Sequence, residues 1–387
     1  MIIYLISPVY PNRINPMHGI FVQKQVELVS KKNHKVVVIN PSTYNYKDLI
    51  LKKIRKKITH FVVDNIHIYQ NHYFDFMQLR FLKISQMKFS FYLRKMLKIS
   101  IKEHGYPDIV HLHFGAITSK SVIKYFEKLK IPVVITEHQS IYLRQKLKRT
   151  IVSDLLYATN NAKMFLTVSN VLKSSMSRYV NENKITVLNN TIECKIDSND
   201  IVSNKITMLD KFVFFTASNL IKSKNVLFLV SQFHNAFNNS QVELRIAGEG
   251  LEKKRIENYI RRNDISNIIL LGRLNSSEML NEYRNSHCYV SASKIETFGI
   301  TYREAMMFGK PVVAIFNDGI AENWSDEFGF LVKSEERFAD ALQKMVKNYH
   351  LFDNEKISNR NRLLYDSNSI VEKLIDIYSN VLKKERK

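Results

Sequence analysis

The chain is poor in cysteine, glycine and acidic residues, and it has no long apolar run. Of 387 residues only Cys194 and Cys288 are cysteines, which excludes a disulfide framework and offers no metal-ligand spacing. Gly248-Glu249-Gly250 does not extend to the dinucleotide-binding pattern G-x-G-x-x-G, and no Walker A phosphate loop occurs. No apolar stretch approaches the roughly 18 residues of a membrane-spanning helix. The opening MIIYLISPVYP has no basic leader region and soon meets Pro8 and Pro11, so it reads as a buried strand rather than a signal peptide. Only 36 Asp and Glu oppose 58 Lys and Arg, a net charge of +22. That surplus implies an anionic partner, whether nucleic acid, membrane surface or phosphorylated substrate. The chain is nonetheless 45% hydrophobic, enough for sizeable cores, and at about 150 residues per domain it divides into two or three domains. The expectation is a cytoplasmic, multi-domain protein.

Short apolar runs alternate with amphipathic stretches. Ile2–Ser7, Val36–Ile39, Ile109–His113, Val133–Thr136, Phe165–Val168 and Ile185–Leu188 have the length and content of strands. Helical patterns such as 21–32 lie between them, so a parallel sheet covered on both faces is expected. The same grammar restarts with Phe212–Ala217, Val242–Ala247, Ile268–Leu271, Cys288–Ser291 and Val312–Ala314. Residues 193–210, polar and weakly periodic, are the best linker. Two doubly wound α/β domains follow, with no solenoid repeat. One segment breaks the pattern: residues 45–102 carry thirteen Lys or Arg against three Asp, interleaved with Phe74, Phe76, Phe81, Phe89, Phe91 and Tyr92. Much of it reads as helical.

Ligands of doubly wound sheets bind beyond the carboxyl ends of strands, so residues just after each strand carry the interest. Gly19 closes the loop after the first strand, either as an ordinary turn glycine or to bring amides to an anion at a helix start. His111 and His113 share one side of their strand, and Glu137 and His138 end the next. Each set is open to a structural or a functional reading. Lys222 and Lys224 follow Phe212–Ala217, as phosphate partners or as solvated surface. Glu296 and Glu304 are separated by seven residues across a turn into a helix, and Phe298-Gly299-Ile300 offers backbone amides suited to a diphosphate. Against this, Thr301-x-x-Glu304 fits a capping box, and Glu296 fits a solvated loop carboxylate.

Taken in order, HGIFVQKQ (18–25), DIVHLHFG (108–115), TEHQS (136–140), LTVSN (166–170), ITVLNNTIE (185–193), SNLIKSKN (218–225), LRIAGEG (244–250), NIILLGRL (267–274) and the Glu296–Glu304 segment resemble the family 4 retaining glycosyltransferases, nearly end to end. That resemblance implies the GT-B fold, two facing Rossmann-like doubly wound domains with an interdomain cleft. Residues 1–200 would form the acceptor domain with its insertion at 45–102, residues 205–365 the nucleotide-sugar domain, and residues 366–387 a helix returning to the first. It implies Gly19 near the donor phosphates, His113 near the reacting carbon, and Glu137 and His138 on the acceptor side. Glu296 would bind the donor sugar, with the Phe298-Gly299-Ile300 amides near the phosphates, Glu304 on the ribose and Lys224 on the leaving diphosphate. Gly248 also falls among donor-binding positions. The chain departs from the family where arginine is usual, at Asn219, and where glycine is usual, at Asn225. Arg273 or Lys222 would then have to supply the second cation.

The implied reaction develops negative charge on a nucleoside diphosphate and positive charge on the sugar, which a preorganised lysine and helix amides can stabilise. No side chain is an evident nucleophile, so front-face attack by the acceptor hydroxyl is favoured. No cofactor and no metal are expected, there being no Asp-x-Asp site after a strand; the co-substrate would be a UDP- or GDP-linked sugar. Expected partners are a lipid-linked or oligosaccharide acceptor and an anionic membrane surface, reached through Lys52, Lys53, Arg55, Lys56 and Lys57, which places the protein peripherally at the inner face of the plasma membrane in surface-polysaccharide assembly. The nearest alternatives are a sugar-nucleotide epimerase or a phosphorylase of the same fold. A non-enzymatic nucleic-acid binder is the alternative of another class; otherwise no nucleic acid is expected.

Overall fold

The computed structural model describes residues 1–12, 16–44, 58–74, 82–116, 118–192, 211–238 and 241–385. The chain divides into two units, Met1–Thr191 with Ser367–Lys387, and Ile192–Asp366. Among the described residues the first unit holds eight strands: β1 (Ile2–Ile6), β2 (Lys35–Tyr44), β3 (Thr59–Val63), β4 (Ile66–Phe74), β5 (Ile109–His113), β6 (Val133–Glu137), β7 (Met164–Thr167) and β8 (Ile185–Val187). Their order is β3-β4-β2-β1-β5-β6-β7-β8, parallel except for β3 against β4. The second unit holds six: β9 (Phe212–Ala217), β10 (Val242–Ala247), β11 (Ile268–Gly272), β12 (Cys288–Ser291), β13 (Val312–Ile315) and β14 (Gly329–Val332). They run in the order β11-β10-β9-β12-β13-β14, all parallel. Both units are α/β and Rossmann-like, and the second has the order 3-2-1-4-5-6 of a dinucleotide-binding sheet.

The near-continuous apolar runs are buried on both faces, as parallel strands covered by helices must be: β5 and β6 are buried at every residue. Three departures from the sequence reading have physical causes. β2 runs on through Pro41 to Tyr44. The Ile39 carbonyl accepts from Ser7 on the β1 side, so Pro41, two residues on, faces that same side beyond the end of β1, where its missing N–H breaks no ladder. Secondly, the segment read as mostly helical holds the β3–β4 hairpin before the helix Leu82–His104. Its turn is Asp64-Asn65, both left-handed at φ 49° and 64°, the two-residue turn whose twist matches paired strands. Thirdly, β14 was too short and glycine-led to stand out.

Residues 193–210, Lys52, Lys53, Arg55, Lys56, Lys57, Phe76 and Phe81 lie outside the described residues. Of the other aromatics in that segment, Phe89 is core and Phe91 is exposed. The helix Ser367–Glu385 presents Ile370, Val371, Leu374, Tyr378 and Val381 along one face, and this stripe joins the core of the first unit beside Ile3, Val22 and Val26.

Candidate active site

In an open α/β sheet the ligand crevice lies at the carboxyl ends of strands, where strand order reverses. That point falls between β1 and β5 in the first unit and between β9 and β12 in the second.

In the first unit, Gly19 opens the helix Ile20–Lys31 with φ 74°, and a Cβ there would stand 2.7 Å from the Val9 carbonyl oxygen. The turn accounts for this glycine by itself. Across the reversal, β5 projects His111 and His113 to one side, ring centroids 4.2 Å apart. His111 is held at both nitrogens, by Thr136 Oγ1 at 2.7 Å and by the Tyr378 hydroxyl at 2.6 Å, so it is structural. His113 Nδ1 meets His138 Nε2 at 2.9 Å, and the rings stack. His113 Nε2 and His138 Nδ1 are buried with no hydrogen-bond partner among the described residues. A buried, unsatisfied imidazole nitrogen at a strand's carboxyl end is suited to a ligand hydroxyl. Burial drives all three histidines well below the usual histidine range, His113 to about 3, so they present neutral rings at pH 7.

Glu137, expected on the acceptor side, is engaged by the backbone around it. Its carboxylate is fully buried and accepts from the backbone N–H groups of Ala116 at 3.0 Å, His138 at 2.9 Å and Gln139 at 3.0 Å. It ties the loop after β5 to the loop after β6. Burial raises its pKa, while the three N–H donors pull the other way.

In the second unit, Lys224 follows β9 and Glu296 follows the neighbouring β12. Their side chains meet at 2.6 Å, with 23% and 16% of their surfaces exposed. Lys224 ends a short 3-10 turn that is closed by Asn225 at φ 55°. Asparagine tolerates the left-handed region, so the departure from glycine at this position leaves the turn intact. Asn219 is exposed and its carbonyl accepts from Ile221. Arg273 is exposed just after β11, two strands away from β9, and Lys222 lines an outward groove with Glu252 and Arg255. Gly248, expected among the donor-binding positions, donates its N–H to the Gly272 carbonyl at 2.6 Å. A Cβ at that glycine would stand 1.8 Å from the Ser218 oxygen, so the close approach of these two loops requires glycine.

The helix Ile300–Met307 starts after Gly299, at φ 74°, and not after Thr301. Thr301 Oγ1 instead accepts from the Tyr289 hydroxyl at 2.7 Å, and Glu304 accepts from the Tyr283 hydroxyl at 2.9 Å. There is no capping box, and Glu304 stays half-buried on the helix. Phe298 is buried and its carbonyl accepts from Tyr302 and Arg303, while the first-turn amides at Gly299 and Ile300 lie at the helix start.

Arg303, unremarked in sequence, is 3% exposed. Its guanidinium donates to the carbonyls of Phe298, Gly319 and Glu322 and lies 4.1 Å over the Tyr365 ring. It anchors the turn between Glu296 and Glu304. The signal available in sequence was a charged residue beside apolar Met306 and Met307 on a short helix.

Each unit is thus a doubly wound sheet with polar side chains gathered at its reversal, the build of a two-domain nucleotide-using α/β enzyme. A family profile described as Glycosyltransferase Family 4 matches residues 20–195, and one described as Glycosyl transferases group 1 matches residues 199–363. The chain belongs to the family 4 glycosyltransferases of GT-B fold. It is 26% identical over 252 residues to an uncharacterized glycosyltransferase of Methanocaldococcus jannaschii, covering 65% of this chain and 67% of that one. It is 24% identical over 253 residues to the alpha-monoglucosyldiacylglycerol synthase of Acholeplasma laidlawii, 59% of this chain and 62% of that relative, less than two thirds of its length. The crystal structure of Anabaena Alr3699/HepE in complex with UDP-glucose superposes with a TM-score of 0.71 at 14% identity, over 98% of this chain and 99% of that one, a likeness of fold.

Proposed function

We propose that the protein transfers a sugar, with retention of configuration and without a metal, from a UDP- or GDP-linked sugar to a hydroxyl of a lipid-linked glycan in bacterial surface-polysaccharide assembly. The observation that carries this reading is the Lys224–Glu296 pair at the reversal of the second sheet. A lysine beside a carboxylate there matches what cleavage of a sugar–diphosphate bond needs, a cation for the leaving group and an acceptor for sugar hydroxyls. On this reading Lys224 and the Gly299 and Ile300 amides take the diphosphate, Glu296 the sugar and Glu304 the ribose. Phe298 then serves through its carbonyl, which holds Arg303 and so the loop.

Acceptor handling is assigned to the first unit. His113 is neutral, so its free Nε2 acts as a hydrogen-bonding partner to a hydroxyl and not as a cation. His138 orients that ring, and Glu137 positions the loop that carries His138. With no side chain in the sequence evident as a nucleophile, front-face attack by the acceptor hydroxyl is the route we favour. A lipid acceptor is supported by the Acholeplasma relative, named for a glycosylated diacylglycerol, and by the net charge of +22. Among the described residues no helix is long and apolar enough to cross a membrane, so contact with an anionic leaflet would be peripheral.

A thermal-shift panel of UDP, GDP and ADP sugars in excess chelator tests the donor and the metal together. One nucleotide class should stabilise the protein, by about 2.7 kcal/mol at 100 times its Kd; stabilisation only after Mg2+ is restored would end the metal-free reading. Sedimentation with anionic and neutral vesicles at low and high salt tests the membrane. Salt-sensitive binding to anionic vesicles that is lost on acidic substitution at residues 52–57 is expected. Binding to neither vesicle would mean that the acceptor is met in solution.

A further inference from the structure

We propose that His60, His67 and His104 form a zinc-binding site on the outer edge of the first unit, apart from the candidate active site. The three side chains offer ring nitrogens that all lie within 4.8 Å of one another. They come from three elements. His60 on β3 and His67 on β4 are diagonal neighbours on one face of the hairpin, since His60 pairs with Tyr69, two residues from His67. His104 ends the helix Leu82–His104, which precedes β5. The cluster therefore lies towards the amino end of β5, whereas His113 is at its carboxyl end.

The spacing suits a tetrahedral ion. His60 Nε2 stands 3.3 Å from His67 Nδ1, and two nitrogens bound to zinc at about 2.0–2.1 Å stand about 3.3 Å apart. The other nitrogen of His60, Nδ1, faces Glu103 Oε2 at 3.8 Å, and the same oxygen is 3.9 Å from His104 Nε2. A carboxylate behind a ligating imidazole is the usual outer partner that fixes ring orientation and raises ligand basicity. The Tyr69 hydroxyl bonds both Glu103 and His104 Nε2, which holds that carboxylate in place.

Lys35 donates to the His104 carbonyl at 3.5 Å and is the opposing charge at the site. Nitrogen ligands select zinc and its neighbours over magnesium or calcium, which take oxygen.

A metal here would pin an edge. Every residue of β3 is exposed, and an unpinned edge strand is an invitation to aberrant pairing. Zinc bound to His60, His67 and His104 would tie that hairpin to the end of the helix, a structural rather than a catalytic role.

The test uses the full chain, stripped with chelator and dialysed. Titration with Zn2+ should show one equivalent bound and a raised unfolding temperature, and Co2+ in its place should give the intense visible absorption of a tetrahedral site. His60 is exposed on an edge strand, so His60→Ala should fold as wild type, yet it should weaken Zn2+ binding at least about 100-fold. Glu103→Gln should weaken it about 10-fold as an outer partner. Mg2+ should do nothing. No stoichiometric Zn2+ binding, or binding retained in the double variant His60→Ala, His67→Ala, would mean that these rings only stack on one another and on Tyr69.

Discussion

Lys224 Nζ and Glu296 Oε1 stand 2.6 Å apart across the reversal of the second sheet, each brought there by the end of a different strand. The two charges hold each other in a partly buried setting, where breaking a pair costs more than the pair itself contributes. In Lys224→Ala the Glu296 carboxylate loses its partner and the diphosphate loses its cation. Nucleoside diphosphate affinity should fall by the 1.5–3 kcal/mol of a charge-assisted bond, about 12- to 160-fold. Calorimetry with UDP and GDP checks this, and equal affinity in variant and wild type would remove Lys224 from the donor site.

Glu304 is a second case where function and stability separate. With no capping box to lose, Glu304→Gln should leave the unfolding temperature nearly unchanged while donor affinity drops about tenfold or more. Tyr283→Phe, which removes the hydroxyl held by Glu304, should have a smaller effect on binding. A Glu304→Gln protein that binds donor normally would take this carboxylate out of the donor site and leave it a structural role that includes its bond to Tyr283.

The buried histidines predict acid sensitivity. His113 has a folded pKa of about 3 against about 6.5 when unfolded, and His111 and His138 are displaced in the same direction. Between those values the unfolded chain binds protons that the folded chain refuses. Stability is therefore full above about pH 6.5 and falls as pH drops, by up to about 1.4 kcal/mol per pH unit for each such group. Urea unfolding over a pH series should show this limb, and His113→Gln should flatten it.

Lys310 predicts a second pH effect at the alkaline end. It is wholly buried before β13, donates to the Arg284 carbonyl at 3.0 Å, and burial brings its pKa down to about 7. Unfolded, it would titrate near 10.4, so between about pH 7 and 10.4 the unfolded chain holds a proton that the folded chain has released. Stability should climb with pH across that window. Lys310→Met should abolish the climb and raise the unfolding temperature at pH 6, where the wild type must bury the charge; an unchanged pH profile would show that Lys310 reaches solvent.

What sequence alone determined was the alternation of the chain and the places where chemistry gathers. Runs such as Ile109–His113 and Phe212–Ala217 coincide with their strands because a strand buried on both faces has to be apolar throughout, and the residues just past them are then the ones left at the sheet's ligand edge. The family motifs could be read in order for the same reason, since each marks a strand end. Pairing across distance lay beyond it. Periodicity says nothing of which loop meets which, so the Lys224–Glu296 contact, the diversion of Glu137 to three backbone amides and the Arg303 anchor appear only when strands from distant parts of the chain lie side by side. The hairpin is the intermediate case. Its Asp64-Asn65 turn is local, but it sits among basic and aromatic residues that read as helical, and only the cross-strand ladder with His67 and Tyr69 reveals the strands. The gathering of His60, His67 and His104 was decided by tertiary structure alone, because it needs two strands and a helix end that share no sequence period.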